Sequence, residues 1–123
     1  MNLQDFSDQQ KQALLDLAAL AMYADGHLSS AEDERVLRLL LAMGFQTEED
    51  RRRQYDDSIT RVSRHSVNAS SANAYAETMA KAFTTSEQRR VVADTLQDLV
   101  RSDEDISAKE NSFLTLVSQA LRT

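Results

Sequence analysis

The chain has no proline and only two glycines in 123 residues. Average usage of the two residues together is roughly 12%, so about a dozen would be ordinary for this length. β-Sandwiches and barrels need such residues for their many tight turns. A chain this poor in them points to helices joined by short corners. Hydrophobic residues make up 41% of it, enough for a packed core and against disorder. The expectation is an all-α, compact bundle forming a single domain over residues 1–123.

Charge and residue types narrow the function classes. Twenty acidic side chains against 14 basic ones give a net charge of −6. This opposes nucleic-acid binding, which draws its affinity from Lys and Arg neutralising phosphates. Without cysteine there are no disulfides, thiolate zinc sites or cysteine nucleophiles. The start, Met1-Asn2-Leu3-Gln4-Asp5-Phe6, lacks the basic and apolar regions of a signal peptide. The most apolar run, Ala13 to Ala24, is interrupted by Asp16 and is too short to span a bilayer. A cytoplasmic protein that does not span a membrane is expected, and Asn68-Ala69-Ser70 then carries no weight as a glycosylation acceptor.

Period and capping place about six helices. The first runs from about Ser7 to Ala24, with Leu14, Leu17, Ala18, Ala21 and Met22 at helical spacing. The second runs from about Ser30 to Met43, with Val36, Leu37, Leu39, Leu40 and Met43 inward. Gly26 and Gly44 follow these helices, where a left-handed C′ residue belongs. The third, about Glu48 to Val62, has only Tyr55, Ile59 and Val62 as its stripe. Its Arg51-Arg52-Arg53 run sits among Glu48, Glu49, Asp56 and Asp57 and reads as a solvated, salt-laced face. Each pair four residues apart contributes ~0.2–0.5 kcal/mol. Ser63 to Ser70 is a polar loop. The fourth helix uses Tyr75, Ala76, Met79, Ala80 and Phe83. The fifth runs from about Ser86 to Ser102 (Val92, Leu96, Leu99 and Val100 inward), and the sixth from about Ala108 to Leu121 (Phe113, Leu114, Val117 and Leu121 inward).

Shifted by 78 positions, the first helical hairpin aligns with the last. Asp25, Ser29 and Glu32 fall on Asp103, Ser107 and Glu110, Leu28 on Ile106, and Val36, Leu39 and Met43 on Leu114, Val117 and Leu121. The bundle therefore reads as two similar helical hairpins joined by helices three and four. The shared punctuation is Asp-x-x-(Leu/Ile)-Ser-x-x-Glu. Serine followed three residues later by glutamate is a capping box, and the apolar residue before the serine is the N′ half of a hydrophobic staple.

Capping does not account for the aspartates. Asp25 and Asp103 stand at the C-terminal ends of helices one and five, where the macrodipole disfavours an anion by about 0.3–1 kcal/mol. Two compensations are open. One is the free N–H groups of the following helix, and the other is a bound cation closed by Glu32 or Glu110. Asp103-Glu104-Asp105 gathers three acids at the second corner. Carboxylates without sulfur or imidazole suit hard ions, Ca²⁺ or Mg²⁺. The candidate metal ligands are Asp25, Glu32, Asp103, Asp105 and Glu110. Their spacing is not that of an EF-hand, which needs ligands over twelve positions and glycine at the sixth.

Ala24-Asp25-Gly26-His27-Leu28-Ser29-Ser30-Ala31-Glu32, ending a Leu/Ala-rich helix and opening another, resembles the signature of TerB-like domains. These comprise the tellurite-resistance TerB proteins and the related domain of DjlA-type membrane co-chaperones. Ser102-Asp103-Glu104-Asp105-Ile106-Ser107-Ala108-Lys109-Glu110 is similar to the family's C-terminal counterpart, with Glu104 where the family favours glycine. The resemblance implies a compact all-helical bacterial protein of a stress-response setting, whose acidic motif residues, here Asp25, Glu32, Asp103 and Glu110, bind a divalent cation.

Nothing in the chain suggests an enzyme. His27 and His65 form no Glu-x-x-His or His-Glu-x-x-His pattern, and neither a phosphate cradle nor a Gly-x-Ser-x-Gly elbow occurs. The alternative to a cation module is a scaffold or co-chaperone-associated adaptor, with no metal, that engages a protein partner through the charged third helix or an apolar groove.

Overall fold

A computed structural model describes residues 3–22, 30–65 and 68–101, together with positions 115, 117, 119 and 121. The described elements run in the order of a short 3₁₀ turn (Leu3–Asp5), α1 (Asp8–Met22), α2 (Ser30–Ala42), α3 (Glu48–His65), α4 (Ala69–Ala80) and α5 (Ser86–Arg101). Positions 115, 117, 119 and 121 are also helical. Val117 and Leu121 are buried there, whereas Thr115 and Gln119 are exposed. That is the alternation the sixth helix requires, and the fold is all-α as expected.

α1 lies at the centre. The spacing predicts one inward stripe, but every residue from Ala13 to Ala21 is buried. α2, α3, α4 and α5 all pack against α1, and a helix enclosed on every side has no use for a polar face. Alternating leucines and alanines let the neighbouring helices approach closely. α2 buries Val36, Leu39 and Leu40, Met43 just past its end is buried with them, α4 buries Ala76 and Ala80, and α5 buries Val92 and Leu96, all in one cluster with α1.

Side-chain caps define the helix starts. Ser7 Oγ accepts from Gln10 N (3.1 Å), and Gln10 Oε1 accepts from Ser7 N (3.0 Å). Thr85 and Gln88 repeat this reciprocal box before α5 (3.1 and 3.3 Å). Thr47 caps α3 through Asp50 N (3.1 Å), and Asn68 caps α4 through Ser71 N (2.8 Å). Gln10 Nε2 also donates to Gln88 Oε1, 78 positions further along the chain, at 3.3 Å.

The expected loop from Ser63 to Ser70 is too long. α3 continues to His65, and Asn68 already caps α4, since the polar residues there satisfy helix ends rather than replace helix. Phe83 lies beyond α4 rather than on its stripe. It is fully buried and packs against Phe6, ring centroids 5.3 Å apart at 60°.

α2 ends as its glycine predicts. Gly44 has φ +104°. Gly44 N donates to Leu41 O (3.0 Å) and Phe45 N to Leu40 O (3.2 Å), the paired bonds of a Schellman ending. Two corners then share one construction. Before α3, Arg51 Nη1 donates back to Phe45 O (3.0 Å), and before α5, Arg89 Nε donates back to Phe83 O (3.0 Å). Phe45, Thr47 and Arg51 thus correspond to Phe83, Thr85 and Arg89, 38 residues apart.

Candidate functional site

Four of the five residues expected to hold a cation, Asp25, Asp103, Asp105 and Glu110, lie outside the described residues. Glu32 falls on the first turn of α2, and its side chain is outside the described set. Among the described residues, no group of three or more His, Asp or Glu side chains is placed to hold a metal.

The chemistry the described residues do concentrate is a buried carboxylate. Asp16, in the middle of α1, is 0% exposed. Arg61 of α3 grips it with Nε to Oδ2 at 2.9 Å and Nη2 to Oδ1 at 2.8 Å. Ser58 Oγ, one helical turn before Arg61 and itself buried, donates to Oδ1 at 2.6 Å. Tyr75 of α4 donates its hydroxyl to Oδ2 at 2.5 Å. Four donors from two helices therefore saturate a carboxylate carried by a third, which is what a charge excluded from water requires.

The surroundings extend this network. Gln12, one turn before Asp16, places its side-chain amide 3.1 Å from Nε and Nη1 of Arg61, and assigning the oxygen to that end of the amide lets it accept from the guanidinium. His65 stacks on the Tyr75 ring, centroids 4.2 Å apart and planes 4° from parallel. His65 thus belongs to the last turn of α3 and covers the network, where the sequence reading placed it in a polar loop. A groove of about 370 Å³ opens beside Tyr75 between α1 and α4, with Gln9, Gln12, Met79 and Lys81 in its walls.

The electrostatics follow from burial and pairing. Burial, the largest influence on Tyr75, raises its phenol well above the ordinary range, and the hydrogen bond to the Asp16 carboxylate and its charge add to the rise. For Arg61 partial burial works against the charged form. The hydrogen bond and attraction of Asp16 outweigh it, so the guanidinium binds its proton more firmly than usual. Every buried side-chain nitrogen and oxygen among the described residues has a partner.

The arginine run of α3 divides as its neighbours dictate. Arg52 pairs with Glu48 at 3.4 Å and Arg53 with Glu49 at 3.6 Å, both in solvent. Arg51 instead turns back to the carbonyls of Phe45 and Gln46. Tyr55 donates its hydroxyl to Asp33, tying α3 to the first part of α2.

These features define a small acidic helical module held through a charged group at the centre of its core. The family model of the tellurite resistance protein TerB matches residues 11–123, and the chain belongs to that family. No curated protein and no solved structure gives a significant match to it. No helix among the described residues is long and apolar enough to cross a membrane.

Proposed function

We propose that the protein is a non-enzymatic, cytoplasmic TerB module that binds a divalent cation, Ca²⁺ or Mg²⁺, in a stress response of the tellurite-resistance kind. Asp25, Glu32, Asp103, Asp105 and Glu110 supply the ligands. The observation that carries this reading is the reach of the family match, since residues 11–123 take in both acidic corners.

Physical chemistry supports it. Asp25 and Asp103 follow Met22 of α1 and Arg101 of α5 by three and two residues, near helix ends where an anion is disfavoured. A hard cation offsets that cost and suits an all-oxygen ligand set. The matched capping boxes of Ser7 with Gln10 and Thr85 with Gln88, 78 positions apart, support treating the two hairpins as equivalent.

Thermal melts with millimolar Ca²⁺, Mg²⁺ or Mn²⁺ test the proposal. A cation present at a hundredfold excess over its Kd raises stability by about 2.7 kcal/mol. Glu32→Gln with Glu110→Gln keeps a residue type that serves the capping pattern read from the sequence and removes two anionic groups. The metal-free melt is expected to stay within about a degree or two of wild type, while the cation-induced rise disappears. A wild-type protein whose melt ignores all three ions refutes the proposal.

A further inference from the structure

We propose that the Asp16–Arg61–Tyr75–Ser58 network sets the rotation of α1 within the bundle.

The argument starts from the composition of the buried stretch. Ala13, Leu14, Leu15, Leu17, Ala18, Ala19, Leu20 and Ala21 are all buried. At about 100° per residue these leucines and alanines interleave around the whole circumference. Hydrophobic transfer depends on area removed from water and carries no direction, so turning α1 by one residue keeps nearly the same apolar burial. The Leu/Ala volume pattern resists such a turn only through packing.

Asp16 behaves differently. A turn of one residue carries its carboxylate away from Arg61, Ser58 and Tyr75 together and leaves an unpaired charge in an apolar core. A slide along the axis breaks the two-pronged grip of Arg61 at 2.9 and 2.8 Å. Because the donors come from both α3 and α4, one carboxylate fixes α1 against two neighbours at once. The network therefore supplies specificity where apolar packing supplies cohesion.

The test compares wild type, the apolar replacement Asp16→Leu/Arg61→Leu/Tyr75→Phe, and the milder Asp16→Asn, each metal-free, by amide spectra and residue-resolved hydrogen exchange. The apolar replacement is expected to stay helical and to melt cooperatively, yet to give more than one amide signal for Ala18, Ala19 and Leu20. Asp16→Asn, which keeps the size of the side chain, is expected to speed exchange in α1 at least tenfold more than in α5. A single α1 signal set at wild-type positions, or acceleration equal in every helix, overturns the proposal.

Discussion

Arg61→Ala probes the molecule where its energetics are most concentrated. Arg61 is 26% exposed at its side chain, whereas its partner Asp16 is 0% exposed. The substitution removes both guanidinium bonds and strands a carboxylate inside the core. Removing one member of a buried pair costs about 3–5 kcal/mol. Ser58 and Tyr75 still donate to Asp16, which places the expected loss near the lower end, about 3 kcal/mol. For a domain of 5–15 kcal/mol total stability that is a large share. At about 3–5 °C per kcal/mol for this chain length, the melting temperature falls by roughly 10–15 °C. Arg53→Ala is the matched control. Its pair with Glu49 spans 3.6 Å with side chains 62% and 84% exposed, so its removal costs less than about 0.5 kcal/mol. Urea unfolding followed by circular dichroism, with calorimetry alongside, measures both. Equal losses for the two variants, or a loss below about 1 kcal/mol for Arg61→Ala, would show that the buried pair has no special weight.

Two further outcomes follow from local geometry. Gly44→Ala is expected to cost about 1–2 kcal/mol, because φ at this position is +104°. The added Cβ meets only the side chain of Gln4, at 3.4 Å, so strain rather than collision is the cause, and a thermal melt equal to wild type contradicts the left-handed ending. Tyr75 concerns alkaline pH: the folded protein holds its phenolic proton more tightly than the unfolded chain, chiefly through burial and then through Asp16. The unfolded chain releases this proton first, from about pH 10 upward, so Tyr75 contributes stability below that pH and loses the contribution as pH rises further. Comparing urea midpoints near neutral pH and near pH 11 is expected to give a smaller decline for Tyr75→Phe than for wild type.

Much of the bundle was legible in the sequence because helical periodicity and caps are local signals. Val36, Leu39, Leu40 and Met43 fall at helical spacing along α2 and just past its end, and all four are buried. The glycine ending of α2 was equally plain. α1 was harder to read, since a helix buried all round has no polar face to define its orientation. Asp16 looked like an interruption of an apolar run when it is the central polar residue of the core. A lone acid between leucines, with Ser58 and Arg61 one turn apart beside Val62, was the available clue. Pairing across 45 residues, as between Arg61 and Asp16, depends on tertiary packing that no local pattern encodes. The likeness of the corners at Phe45–Arg51 and Phe83–Arg89 was present in the sequence, but at a spacing of 38 rather than 78. The acidic corners fall among residues 23–29 and 102–110, outside the described set.

The central position of α1 has a consequence during synthesis. α1 precedes in the chain every long helix that encloses it. At ribosomal speeds of about 5–20 residues per second, the roughly 80 residues from Met22 to Arg101 take on the order of 4–16 s to emerge. Over that interval α2, α3, α4 and α5 arrive one after another, and the Leu/Ala segment is fully enclosed only at its end. Slower translation lengthens the exposure of this apolar segment.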